Sequence, residues 1–178
     1  MATPIVNDRQ FGILIAYVIP GFLVVSGLSL HLPAVASWMG PENRPTVGGF
    51  LYATIASIAC GLVNSTVRWL IVDTVLHLTG VPKARWDLSM LREQLPAFET
   101  FVLYTYRYYQ FYGNSVVAIP IWAILCWSSC QTISIPRMSA LAVIELVLLA
   151  GARDTLKKYY ERTNVILGPA STTRIVIP

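Results

Sequence analysis

The hydrophobic and polar positions divide the chain into four long apolar runs separated by more polar stretches. The runs cover about 11–30, 49–67, 111–129 and 138–155. A helix needs ~20 mostly apolar residues to cross a hydrocarbon core of ~30 Å, and each run is close to that length. The pattern predicts an all-α polytopic membrane protein with four transmembrane helices, organised as a single membrane domain, 1–178.

The first run contains Pro20 and Gly21 near its centre. Proline removes a backbone donor, so we expect a kink or local unwinding there. The apolar core and the AVA tripeptide at 34–36 also resemble a signal peptide with its cleavage site. Because the run is long for such a core, we interpret it as a retained transmembrane helix. A loop is predicted at 31–48, with a short interfacial turn around 34–39.

The second run carries a strip of small side chains at every fourth position. Its members are Gly49, Ala53, Ser57, Gly61 and Ser65. In lipid, small residues let two helix backbones approach closely. Three interpretations remain open: the strip packs this helix within its own subunit, contacts a second subunit, or faces a pore. In the pore interpretation the lining residues are Ser57, Gly61, Asn64 and Ser65.

Helical segments extend the apolar runs on one side of the membrane. The segments 68–110 and 153–164 are predicted to form a helical collar in the cytoplasm. Eight of the fifteen residues at 98–112 are aromatic. Tyrosine favours the headgroup level, so this stretch is predicted to form an interface belt. Asp73 and His77 are four residues apart and are predicted to pair on one helical face.

Composition supports membrane insertion. The 178 residues are 55% hydrophobic and 12% charged, whereas a soluble domain has about 25% charged residues. The net charge of +4 does not indicate nucleic-acid binding, because the basic residues flank the apolar runs instead of forming a block.

The basic residues also predict the orientation, because lysine and arginine favour the cytoplasmic side. With both termini inside, only Arg44 and Arg137 lie outside. The others lie in the cytoplasm: Arg9, Arg68, Lys83, Arg85, Arg92, Arg107, Arg153, Lys157, Lys158, Arg162 and Arg174. We therefore predict a bacterial inner-membrane protein with cytoplasmic N- and C-termini.

Motifs of enzymes, metal sites and cofactor sites are missing from the sequence. No GxSxG, HExxH, GxxxxGK[ST] or GxGxxG pattern occurs. The three cysteines, Cys60, Cys126 and Cys130, fall in apolar segments and form no CxxC motif. The sequence predicts a protein that is not an enzyme and holds no metal or cofactor.

Glu145 is the most informative polar residue, since an ionisable side chain inside a membrane segment is expensive and usually functional. It lies ~10 Å below the outer surface by helical rise. At that depth Arg68 is out of reach, so the chain offers no counter-charge. Glu145 is predicted to line or gate a pore, to pair across a subunit boundary, or to bond Ser26, Ser57 or a tryptophan.

A second polar level is predicted nearer the cytoplasm. Its members are Asn64, Asn114, Arg153 and Asp154, with Arg68 and Arg107 just below. One interpretation is a network of hydrogen bonds and salt bridges between helices. The other is a polar ring at a pore mouth, where charge selects ions.

Three stretches carry a resemblance to a known family. YRYYQFYGN (106–114), ARDTLKKYYERT (152–163) and PGF (20–22) resemble a family of small, largely uncharacterised bacterial four-span membrane proteins. In size and layout the chain is also similar to transmembrane channel effectors of bacterial antiphage systems of the Hailong type. That likeness implies a channel that depolarises the cell when a soluble partner or a nucleotide signal acts on it, and it assigns no individual residue.

The preferred hypothesis is an oligomeric ion channel or pore-forming effector in the lipid bilayer. In it the second helix lines the pore, Asn64 and Arg68 set the field at the mouth, and the collar receives the gating signal. Two alternatives remain open: a non-conducting adaptor that docks a soluble enzyme or sensor, and a small proton-linked transporter that uses Glu145.

Overall fold

The computed structural model describes residues 12–39, 46–81, 86, 91–129 and 134–167, and all regular structure within them is helical. The helices are α1 (Leu14–Leu28), α2 (Pro33–Met39), α3 (Val47–Leu78), α4 (91–128) and α5 (Ile135–Leu167). Among these residues, three helical stretches are long and apolar enough to cross a membrane, namely α3, Tyr104–Ser128 of α4, and α5, while α1 is a shorter apolar helix. The all-α prediction is confirmed for this part of the chain, and three of the four predicted spans correspond to helices of sufficient length, while the span predicted at 11–30 stays a prediction.

Helix boundaries differ from the predicted runs where polar segments continue the apolar ones. The predicted loop 31–48 contains α2, a helix of 7 residues. The predicted span 111–129 and the residues before it belong to the single helix α4, and α5 continues through the polar stretch 153–164. The predictions for Arg9, Arg44, Lys83, Arg85, Cys130 and Arg174 lie outside the described residues.

Helix α3 has a recognisable signal at each end. The Thr46 hydroxyl accepts a hydrogen bond of 3.0 Å from the Gly49 amide, which caps the first turn. At the other end Gly80 adopts φ 98°, a left-handed conformation that glycine accepts without strain. The Val81 amide then bonds back to the Leu76 carbonyl at 3.1 Å, as helix C-terminal motifs require.

Helix α4 is the centre of the bundle. It packs against α5 on one side and against α1 and α3 on the other, while α3 also packs against α1 and α2. The apolar core joins the end of α3 to α4 and α5 through Val72, Leu76, Tyr109, Ala152 and Leu156. The outward faces of α3 and α5 carry large exposed apolar side chains. Apolar surface of this extent suits contact with hydrocarbon better than contact with water.

The small-residue strip packs α3 inside its own chain. Gly49, Ala53, Ser57 and Gly61 are all buried. A Cβ atom on Gly61 would collide with the Tyr17 carbonyl oxygen of α1. Helix α1 lies against Ser57 and Gly61, since a Cβ atom on Gly21 would collide with the Ser57 carbonyl oxygen. Of the three interpretations of the strip, packing within the subunit is the one that this arrangement supports for these two residues.

Candidate functional site

A buried polar layer connects α1, α3 and α4. Asn64 Nδ2 donates to the Asn114 carbonyl oxygen at 2.6 Å, and Asn114 Nδ2 donates to the Ala16 carbonyl oxygen at 2.7 Å. Pro20 explains the second bond: it has no amide hydrogen to donate to the carbonyl four residues earlier, which is that of Ala16. The irregularity expected near Pro20 takes the form of a π-helical turn at Leu14–Val18. The asparagine on α4 supplies the donor that proline removed.

The same layer holds two acceptors without partners. Among the described residues, Asn64 Oδ1 and Asn114 Oδ1 are buried and receive no hydrogen bond. A buried acceptor left unpaired is unfavourable by about 1–3 kcal/mol. These two oxygens can accept hydrogen bonds from an enclosed water or from a ligand that carries donors.

Arg68, Asp73 and Tyr109 form a buried charged cluster beside the polar layer. Arg68 is 3% exposed, and its Nη1 lies 3.1 Å from Asp73 Oδ1. The Tyr109 hydroxyl donates to the same carboxylate oxygen, and the Arg68 guanidinium carbon lies 4.8 Å from the centre of the Tyr109 ring. The carboxylate and the ring face therefore both stabilise the buried cation.

A π-helical turn at Trp69–Asp73 brings the charged pair together. In a regular α-helix, residues five apart point in different directions, about 140° from each other. In a π turn, i→i+5 hydrogen bonds bring residues five apart onto one face, which places Asp73 next to Arg68. The predicted pair of Asp73 with His77 is therefore wrong: His77 instead contacts the Val81 carbonyl at 2.9 Å and the Tyr160 hydroxyl at 3.3 Å.

The predicted polar level is only partly brought together. Asn64, Asn114 and Arg68 lie in the layer just described, and Arg107 joins it through Gln110 Oε1 at 3.1 Å. Arg153 instead donates to the Thr79 carbonyl at 3.0 Å. Asp154 forms an exposed pair with Lys158. The predicted members on α3, α4 and α5 therefore do not form one closed ring of charge among the residues that the structure describes.

Sequence reasoning missed Tyr17 and Gln110. Gln110 Nε2 donates to the Tyr17 hydroxyl at 2.7 Å and so ties α4 to α1. One signal was available: Arg107, Gln110 and Asn114 are spaced by three and four residues, which places them on one face of a helix.

An open cleft of about 340 Å³ lies next to the buried cluster. Its lining residues come from α1, α3 and α4: Tyr17, Leu62, Ser65, Thr66, Arg68, Trp69, Tyr106 and Gln110. Ser65, the last member of the small-residue strip, thus faces a cleft and not a helix. Most of the lining side chains carry hydrogen-bond donors.

Aromatic side chains join the ends of α3, α4 and α5. The Tyr106 and Tyr159 rings are 4.8 Å apart, and Trp86 contacts both Tyr159 and Tyr160. Trp86 Nε1 also donates to Asn164 Oδ1 at 3.0 Å. The tyrosines predicted as an interface belt therefore include several that pack between helices.

Glu145 lies on the side of α5 that faces α4. It is seven residues from Ala152, which is buried on that seam, and helical spacing places both on one stripe. Its Oε2 atom is buried and has no hydrogen-bond partner among the described residues. The predicted partners are engaged elsewhere: the Ser26 and Ser57 hydroxyls donate to Leu23 and Ala53 within their own helices.

Replacing Asn114 with leucine is expected to lower the free energy of unfolding by about 1–3 kcal/mol, because the Ala16 carbonyl loses its donor. Thermal unfolding in a mild detergent measures the loss. Thr54→Val is the matched control, since the Thr54 hydroxyl donates to the Phe50 carbonyl of its own helix. Equal melting temperatures for the two variants would contradict the role of Asn114.

Comparisons of the chain with protein-family models, with curated proteins and with solved structures gave no match. The two resemblances stated from the sequence therefore stay predictions.

Proposed function

We propose that the protein is a subunit of an oligomeric ion channel or pore-forming effector in the bacterial inner membrane, with both termini in the cytoplasm. The observation that carries the proposal is the position of Glu145. One of its carboxyl oxygens is buried without a hydrogen-bond partner in the described part of the chain, on an apolar helix that packs chiefly against α4.

An ionisable group at this depth is unfavourable by several kcal/mol unless it faces protein or water. The residues around it on the outward face of α5 are apolar, among them Val143, Ile144, Leu146 and Val147. In this proposal the partner for the carboxyl comes from outside the subunit. Neighbouring subunits around an axis supply both a second protein surface and a water-filled path.

The pore in this proposal is lined by α5 instead of α3. The strip on α3 is covered by α1, and the charge of Arg68 is compensated by Asp73, so neither sets the field of a pore. Glu145 is only partly buried beside the contact of α5 with α4, so in this proposal the subunits meet along the edge of that contact, and a symmetric ring places one Glu145 from each subunit around the axis. Rings of acidic side chains favour cations, so the proposed channel is cation-selective.

Gating is assigned to the ends of α3, α4 and α5. Trp86 and the surrounding tyrosines connect these ends, so a partner that moves one helix end moves the others. A soluble regulatory protein or a nucleotide signal is the proposed effector at this cytoplasmic collar.

The antiphage role that the second resemblance implies is tested by survival of phage-challenged cells with and without the intact gene.

The channel proposal predicts that Glu145→Gln lowers the cation preference of the purified protein in planar bilayers, because the ring of negative charge is lost. Reversal potentials in a salt gradient measure the preference, and native mass spectrometry gives the subunit number. Glu161→Gln is the matched control, because Glu161 sits in an exposed pair with Lys157.

Unchanged reversal potentials in Glu145→Gln would contradict the assignment of the pore to α5. A monomeric protein, or the absence of conductance with and without cytosolic extract, would contradict the channel itself and favour the adaptor hypothesis.

A further inference from the structure

The cleft beside Arg68 combines hydrogen-bond donors with a net positive charge. Arg68 contributes to its wall, and Arg107 donates a hydrogen bond to Gln110 Oε1, whose residue also lines the cleft. In the described part of the chain, Asp73 is the carboxylate paired with Arg68. The hydroxyls of Tyr17 and Ser65 line the same space. Gln110 donates to the Tyr17 oxygen, which leaves the Tyr17 proton directed to another acceptor.

Arg68 has donor capacity that its known partners do not use. A guanidinium carries five N–H donors. Nη1 serves Asp73, whereas Nε is buried and has no hydrogen-bond partner among the described residues. A buried charged donor without an acceptor is costly, so the arrangement favours an anion with several acceptor oxygens.

The cleft lies where a membrane surface is expected. Arg68 is 21 residues beyond Val47 on α3, a distance of ~32 Å, which matches the thickness of a hydrocarbon core. Trp69, at the rim, is 62% exposed, and tryptophan prefers the headgroup level. The ligand therefore meets the cleft at the boundary between headgroups and acyl chains.

An apolar stripe leads from the cleft toward the membrane centre. Leu62 lines the cleft, and Ile58, Ile55 and Leu51 follow it at helical spacing on α3. All four are exposed. Ile58 lies ~15 Å from Arg68 by helical rise, which is half of a hydrocarbon core, so Leu62 and Ile58 can accompany an acyl chain of the leaflet that meets the cleft.

We propose that the cleft binds an anionic phospholipid. The phosphate accepts hydrogen bonds from Arg68 and from the hydroxyls of Tyr17 and Ser65, and an acyl chain lies along Leu62 and Ile58 toward the membrane centre. Basic pockets between membrane helices bind phosphate headgroups by this chemistry. The inference goes beyond the channel and does not depend on it, because the site is complete within one subunit.

Native mass spectrometry of the full chain in a neutral detergent tests the site with phosphatidylglycerol and phosphatidylcholine as probes. Phosphatidylglycerol is expected to bind several-fold more tightly. Ser65→Leu fills the cleft and leaves the Arg68–Asp73 pair in place. It is expected to weaken the binding of phosphatidylglycerol about tenfold, because charge-assisted hydrogen bonds to the phosphate are lost. Ser139→Leu, an exposed serine-to-leucine change on α5, is the matched control and leaves binding unchanged.

A third measurement distinguishes binding of the whole lipid from binding of phosphate alone. Inorganic phosphate at the same concentration is expected to leave phosphatidylglycerol bound, because the acyl chain contributes part of the affinity. Displacement by phosphate would overturn the lipid assignment. Equal binding of the two lipids, or equal binding by Ser65→Leu and Ser139→Leu, would overturn the site. Thermal unfolding of each variant shows that it is folded.

Discussion

Replacing Asp73 with alanine is expected to lower the free energy of unfolding by about 3–5 kcal/mol, because it leaves a buried cation without its counter-charge. Arg68 is 3% exposed and its Nη1 contacts Asp73 Oδ1. The substitution also removes the acceptor of the Tyr109 hydroxyl. The Arg68 guanidinium and the Tyr109 hydroxyl then both lose the acceptor that they share, at the contact between α3 and α4.

Reversible unfolding of the protein in mixtures of sodium dodecyl sulfate and a mild detergent measures this loss. Asp154→Ala is the matched control: it breaks an exposed pair with Lys158, and such pairs contribute about 0–1 kcal/mol.

The double variant Arg68→Met and Asp73→Ala sharpens the test. It removes both charges, so it is expected to be more stable than Asp73→Ala alone, as replacing a buried ion pair with apolar groups is often neutral. If Asp73→Ala unfolds no more easily than Asp154→Ala, the cluster does not hold the bundle together.

The sequence predicted this cluster incompletely because helical register was assumed to be regular. The pattern placed Arg68 and Asp73 on one long helix, which is confirmed. Pairing rules for an α-helix then joined Asp73 to His77. The segment WLIVD at 69–73 contains no residue that signals a π turn, yet that turn changes which side chains share a face.

The level of a residue along the bundle was easier to predict than the face of the helix on which its side chain lies. Counting helical rise placed Asn64 and Asn114 at one level, and the two residues are in fact hydrogen-bonded. The same counting placed Arg153 and Asp154 there, but they lie on other faces of α5 and bond elsewhere. Spacing also located the small-residue strip, although it could not reveal that α1 covers it.

Two π-helical turns of this bundle lie next to buried polar side chains. Within the described residues, π turns occur at Leu14–Val18, Trp69–Asp73 and Phe98–Leu103. The first exposes the carbonyl that Asn114 binds, and the second forms the Arg68–Asp73 pair. Such turns are frequent at functional sites, which is consistent with the cleft lying between the first two.

Adding a single methyl group at Gly21 is expected to destabilise the protein by about 3 kcal/mol or more, since overpacking against fixed atoms forces helices apart. A Cβ atom there would collide with the Ser57 carbonyl oxygen and would lie 2.7 Å from the Gly61 amide nitrogen. Both are backbone atoms, so no side-chain rotation relieves the clash.

Gly48→Ala is the matched control for Gly21→Ala, because a Cβ on Gly48 meets nothing within 4 Å. Alanine favours a helix over glycine, so this control is expected to melt at the same or a higher temperature.

A double variant tests whether the loss of stability in Gly21→Ala comes from separation of α1 and α3. If Gly21→Ala separates α1 from α3, the Ala16 carbonyl moves away from α4, and adding Asn114→Leu then produces little further loss. Fully additive losses in the double variant, or a Gly21→Ala protein as stable as Gly48→Ala, would contradict the close packing of α1 on α3.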